Sequence, residues 1–139
     1  MRQAHGSIAI ATTRQGLVEV TERVTAWVAE QGIGAGLLTL FCRHTSASLL
    51  IQENAARAVR SDLEAYFARI APEDAQAYAH DDEGPDDMPA HLRTALTQVQ
   101  LSIPLIAGRL ALGTWQGIYL FEHRRRPHRR EILLHVIGA

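Results

Sequence analysis

Three histidines stand at places where a chain turns from regular structure into loop. His44 follows the apolar run LLTLFC, His80 opens an acidic stretch, and His91 lies shortly after Pro89. The stretch AHDDEGPDDMPAHLR gathers Asp81, Asp82, Glu83, Asp86 and Asp87 around the last two of them. Carboxylates this dense repel one another unless cations or a helix N-terminus compensate. Three imidazoles with an open fourth position are a familiar catalytic zinc arrangement, so His44, His80 and His91 are candidate metal ligands. Their separations, 36 and 11 residues, match no compact ligand motif. A second reading therefore stands beside the first: hydrogen-bonded polar residues at element boundaries, with a solvated acidic loop. Gly84, Pro85 and Pro89 stiffen that loop, as a metal or a cationic ligand would require. His5, His123, His128 and His135 fall at the terminus, in a basic turn or within a regular strand, and read as structural.

The elements that must position these groups follow from periodicity. GSIAIATT (6 to 13) reads as a strand. In GLVEVTERVTAWVAEQG, Leu17, Val20, Val24, Trp27 and Val28 recur at helical spacing, which predicts a first helix stopped near Gly32. GAGLLTLFCR (34 to 43) is a strand, and TSASLLIQ stays extended until Asn54 can cap a second helix. That helix sets Ala56, Val59, Leu63, Tyr66, Phe67 and Ile70 on one face and ends before Pro72. Residues 72 to 87 are loop, and MPAHLRTALTQ is a short third helix with Asp86 or Asp87 at its positive end. The remainder is β: QLSIPLI, LALGTWQGIYLFEH and REILLHVIG, the last two joined by the turn RRRPH. Trp115, Tyr119 and Phe121 fall on one side of their strand and Ile118 and Leu120 on the other. Helices can cover one sheet face; a second sheet layer or another subunit must cover the other.

Composition narrows the classes. With 139 residues, 47% of them apolar, the chain forms a single domain, 1–139, with one core. A net charge of −1 gives no global pull toward nucleic acid, and no apolar run is long enough to cross a bilayer, so no nucleic-acid partner, no membrane partner and a cytoplasmic location are expected. The five arginines of HRRRPHRR read first as a solvated turn and second as a phosphate or RNA contact without a stacking platform. The one cysteine, Cys42, excludes an intrachain disulfide and reads as a buried thiol. All 14 basic residues are arginine, which rules out lysine Schiff-base chemistry and the Walker-type phosphate loop.

Three blocks in this order, HTSASLLIQENA (44 to 55), HDDEGPDDMPAHL (80 to 92) and GRLALGTWQGIYLFEHR (108 to 124), resemble the YjbQ family, known also as the secondary thiamine-phosphate synthase type. The resemblance implies an α+β fold with a β-sandwich-like core of mixed or antiparallel strands, two main helices and one short helix, assembled as a homotrimer. It implies a polar, metal-binding site that maps onto His44, His80 and His91, with Glu53, Asn54 and Asp87 in acid/base or supporting roles. The family name implies joining of an aminopyrimidine diphosphate to a thiazole phosphate. In that reaction Asp82 and its acidic loop would favour the cationic pyrimidine, while a divalent metal and Arg43, Arg93 or Arg124 would take the diphosphate. Three histidines favour zinc, whereas diphosphate departure ordinarily uses magnesium. Two alternatives follow: a metal-assisted hydrolase or lyase on a phosphorylated metabolite, with Glu53 or Asp87 as base, and a non-catalytic trimeric binder of a small ligand or metal.

Overall fold

The computed structural model describes residues 1–139 in full. The elements run β1 (Arg2–Thr12), β2 (Gly16–Glu19), α1 (Thr21–Glu30), β3 (Gly36–Cys42), β4 (Ala47–Glu53), α2 (Arg57–Ile70), α3 (Asp87–Leu96), β5 (Gln100–Ile106), β6 (Arg109–Leu110), β7 (Gln116–Glu122) and β8 (His128–Gly138). Two antiparallel sheets form, one in the order β1-β8-β3-β5-β6 and one in the order β2-β7-β4. The class is α+β, as expected.

Alternation along each strand decides what lies between the sheets. Leu38 and Leu40 of β3, Leu101, Ile103 and Leu105 of β5, and Ile132, Leu134 and Val136 of β8 point inward from the larger sheet. They meet Ala47 and Leu49 of β4 and Ile118 and Leu120 of β7, and Val24 and Val28 of α1 join the same core. The opposite face of the smaller sheet carries Leu17, Tyr119 and Phe121, which Leu63 and Phe67 of α2 cover. Phe67 meets Phe121 edge to face at 5.3 Å. Strand β7 is therefore apolar on both faces because it is buried on both. Leu120 is fully buried, so it cannot serve an exposed interface. The outer face of the larger sheet is bare: Leu37 and Phe41 of β3 and Ile137 of β8 stay exposed there.

Four expectations about local structure change. Residues 16 to 19, counted by periodicity into the first helix, instead pair as β2 with Glu122 to Tyr119 of β7, and the helix starts only at Thr21. Pairing with a central strand outweighs a helical pattern that its first four residues share with a strand. Helix α2 begins at Arg57 and not behind Asn54; the Glu53 carboxylate accepts the Ala56 N–H at 3.0 Å, while the Asn54 amide donates to Glu19 at 3.2 Å. Trp115 precedes β7 and is exposed. The first strand runs four residues further toward the N-terminus, to Arg2, because β8 is long enough to pair with all of it. At Gly36 and Gly138 a Cβ would run into the backbone of Ile137 and of Ala35 respectively, so β3 and β8 approach there only because both residues lack one.

One end of the core is polar. Glu122, fully buried, accepts hydrogen bonds from Thr12 Oγ1 at 2.6 Å, Arg130 Nε at 2.8 Å and the Arg124 N–H at 3.1 Å. Burial alone would raise its pKa, but these bonds outweigh it and hold the carboxyl below its ordinary range. On the other face of β7, His123 Nε2 meets Ser48 Oγ at 2.9 Å, and burial, aided by Arg93, pushes the imidazole down to about 3. The Cys42 thiol is buried, pushed up to about 11 by that burial, and lies 3.5 Å from the Ala47 carbonyl.

These shifts fix an acid limb. A histidine depressed in the folded state stabilises fully above its ordinary value of 6.5, and that stability is lost as pH falls from there toward about 3. Glu122 adds a loss only once pH passes below the ordinary carboxylate value of 4.5. Between pH 6.5 and 4.5 His123 should therefore contribute a slope approaching about 1.4 kcal/mol per pH unit, which His123→Gln removes. Urea unfolding of the two proteins across that window is the measurement, and equal slopes would contradict the assignment.

Candidate metal centre

Asp87 and His91 are four residues apart in the first turns of α3, so helical geometry places their side chains on one face. The loop before the helix brings His80 to the same carboxylate. His80 Nε2 lies 2.8 Å from Asp87 Oδ2 and His91 Nε2 lies 3.1 Å from that same oxygen. The three ligand atoms fall within 4.8 Å of one another. In tetrahedral zinc, bond lengths of about 2.0–2.1 Å put neighbouring ligand atoms about 3.3 Å apart, so this spacing needs little adjustment to hold an ion.

Each donor is oriented from behind. Asp87 is nearly fully buried, and its second oxygen accepts from Arg124 Nη1 at 2.7 Å. Arg124 Nε bonds Asp86 Oδ2 at 3.1 Å, its Nη2 donates to the Glu83 carbonyl at 2.9 Å, and the Arg125 N–H reaches Asp86 at 2.9 Å. Burial would raise both aspartates, but the His80 bond, His91 and Arg124 hold Asp87 low, and the Arg125 amide and Arg124 hold Asp86 low. The bond to Asp87 in turn raises His80 above its usual value.

His91 Nδ1 lies 2.8 Å from the Thr45 carbonyl. A carbonyl only accepts, so Nδ1 carries the proton, and a neutral ring then turns its Nε2 lone pair toward the Asp87 oxygen. Lone pair facing lone pair at that distance is repulsive unless a cation, a proton or a metal, stands between them.

Of the residues singled out in the sequence, the fold assembles His80, Asp87 and His91. It does not bring His44 into the group. His44 Nε2 accepts the Glu131 N–H at 2.8 Å, and its pKa is lowered by burial and then by Arg130. The ring instead lines an open cavity of about 510 Å³ with Phe41, Thr45 and His91. Glu53 and Asn54 sit at the end of β4 remote from Thr45, engaged with Ala56 and Glu19. Asp82 is exposed, 3.4 Å from His80 Nδ1. Arg43 forms an exposed pair with Glu131, and Arg93 faces away, buried under the Ala71 carbonyl. The ligand role that Asp87 can fill was missed by sequence reasoning, which gave it acid/base work; the i, i+4 spacing with His91 was the available signal.

Arg124 is the cation on which two buried carboxylates depend. Arg124→Met should cost about 3 kcal/mol or more by leaving Asp86 and Asp87 without it, whereas Arg125→Ala removes only a surface pair with Glu73 and should cost under about 1 kcal/mol. Chemical denaturation of both variants measures the contrast; equal losses would mean that the pair network is not what holds the loop.

The chain matches the model of the family described as UPF0047 protein YjbQ-like over residues 6–139. It is 51% identical over 137 residues to the UPF0047 protein sll1880 of Synechocystis sp., covering 99% of this chain and 93% of that one. It is 41% identical over 133 residues to the UPF0047 protein YjbQ of Salmonella typhimurium, covering 95% and 96%. Among solved structures, an uncharacterised conserved protein of Clostridium acetobutylicum superimposes with a TM-score of 0.86 at 30% identity, over 94% of this chain and 98% of that one. A YjbQ-like protein of unknown function from Sulfolobus solfataricus, at 24% identity and 99% coverage of both chains, shares the fold with a TM-score of 0.91. These findings correct the expected activity. The relatives are uncharacterised family members, with no synthase or other catalytic designation among them, and the thiamine-phosphate synthase and phosphorylated-metabolite readings lose their support. The geometry agrees for the three arginines expected to take the diphosphate: Arg124 is neutralised by Asp86 and Asp87, and Arg43 and Arg93 lie apart from the histidine pair, so the three do not converge there. By the extent of these matches, the chain belongs to the UPF0047 YjbQ-like family.

Proposed function

We propose that the chain binds a divalent transition-metal ion, zinc in first place, through His80 Nε2, Asp87 Oδ2 and His91 Nε2. The observation that carries this reading is the convergence of two imidazole nitrogens on one carboxylate oxygen, with the His91 tautomer fixed by Thr45. Two nitrogens and one oxygen suit zinc or a neighbouring transition ion better than magnesium, which prefers six oxygen ligands. The bonds from Arg124 to Asp87 and from His91 to Thr45 are the outer contacts that orient metal ligands. The side chains of His80 and His91 are 42% and 30% exposed, which leaves room beyond them for water or a ligand on the ion.

Elemental analysis after zinc loading tests this directly. Wild type should hold one ion per chain, His80→Ala, Asp87→Asn and His91→Ala should lose it, and His44→Ala and His128→Ala should keep it. Occupancy should fall as pH drops through the histidine range, since ligation needs neutral imidazole. Wild type that takes up no divalent ion, or ligand variants that retain it like the controls, would leave only a hydrogen-bonded polar cluster.

Assembly as a homotrimer belongs to the same reading, with the bare face of the larger sheet as the contact. Leu37, Phe41 and Ile137 are 40%, 43% and 37% exposed on adjacent strands, the apolar side chains that a neighbouring subunit would cover. Phe41→Asp should reduce the mass seen by light scattering to that of a monomer while the chain stays folded; Leu120→Asp, in the core, should unfold it. A monomer mass for wild type at micromolar concentration would exclude the assembly.

A further inference from the structure

A buried arginine lies on the other side of α3 from the histidine pair. Arg93 is two residues beyond His91, about 200° further round the helix, and is only 6% exposed. A guanidinium offers five N–H donors. Arg93 uses one group, Nη2, on the Ala71 carbonyl at 3.1 Å, and its Nε is buried with no partner. No carboxylate oxygen stands within 4.0 Å of it; Glu73, Asp86 and Tyr78 act on it only from further away. Thr94 Oγ1 on the same helix and His123 Nδ1, whose ring Arg93 influences, are likewise buried without partners. Buried cations are ordinarily paired, and buried polar atoms are ordinarily bonded.

Beside this arginine is a cavity of about 180 Å³ between β2, α2 and α3, lined by Arg14, Gln15, Glu64, Ala68, Arg93 and Phe121. We infer that this cavity is a second binding site, independent of the metal, for a small monocarboxylate anion. The carboxylate meets the planar guanidinium of Arg93, and its hydrocarbon part lies against the Phe121 ring. Arg14, largely exposed at the rim, adds a second positive charge, weakly compensated by Glu64 at 3.9 Å. Glu64 is committed to the Leu17 N–H at 3.0 Å, so it stays in the rim and disfavours a dianion such as phosphate. The small volume sets the size of the ligand at a few heavy atoms.

Acetate is the probe, titrated against sodium chloride at equal ionic strength in the presence of a chelator, so that loss of the metal reading does not affect the result. The ¹⁵N–¹H signal of Arg93 Nε should move saturably with acetate and not with chloride. Ala68→Leu, an exposed position on α2 that narrows the cavity, should weaken the response at least tenfold without altering the melt, and Arg14→Gln should weaken it several-fold. Thermal shift read on Arg93→Gln should show no acetate stabilisation beyond that of chloride. An Arg93 signal that ignores acetate, an undiminished response in Ala68→Leu, or saturation by phosphate at lower concentration than by acetate would each overturn the proposal.

Discussion

The contact between Arg124 and the aspartates of the acidic loop is the constraint on which the candidate centre rests. Arg124 lies two residues past the end of β7 and is buried; from there it bonds Asp86, Asp87 and the Glu83 carbonyl. The end of a central strand is thereby tied to the first turn of α3 and to the loop before it. Without that cation two neighbouring buried carboxylates would repel, and the turn carrying Asp87 would have no reason to remain closed. With it, one Asp87 oxygen is fixed and the other is left for the two imidazoles.

Strand β7 makes this possible because it is held on both edges and on both faces. It pairs with β2 on one edge and β4 on the other, packs Ile118 and Leu120 into the core between the sheets, and packs Tyr119 and Phe121 under α2. At its end the same alternation carries Glu122 inward to Arg130 and Thr12, and His123 outward to Ser48. The following residue, Arg124, inherits a position defined by burial on both sides. Ionic groups placed on so rigid a support lose little freedom on pairing, which is the condition under which a buried pair can hold a site in register.

Helix α3 separates two polar environments. Asp87 and His91 face the loop and Thr45, whereas Arg93 faces α2 and the smaller sheet. The first face carries acceptors and imidazoles suited to a cation; the second carries unpaired donors suited to an anion. Ten residues hold both because the helical repeat points near neighbours in different directions.

The sequence by itself determined the family through its three blocks, the α+β class, most of the strands and helices from alternation and period, the buried state of Cys42, and the gathering of His80, His91 and five carboxylates in one short stretch. Each of these is a local property: side-chain period, turn chemistry or composition. What only the tertiary structure decided depends on residues far apart in the chain. Residues 16 to 19 became a strand because β7 offered them an edge, and Leu120 became core because α2 and the second sheet cover both faces of its strand. His44 left the histidine group because the Glu131 amide, 87 residues away, took its ring nitrogen. Arg124 and Arg93 look alike in sequence, yet one is neutralised by two aspartates and the other is buried with no carboxylate at hand. Charge pairing falls off over a few ångströms, and which charges come that close is settled by the packing of the sheets and α3, not by spacing along the chain.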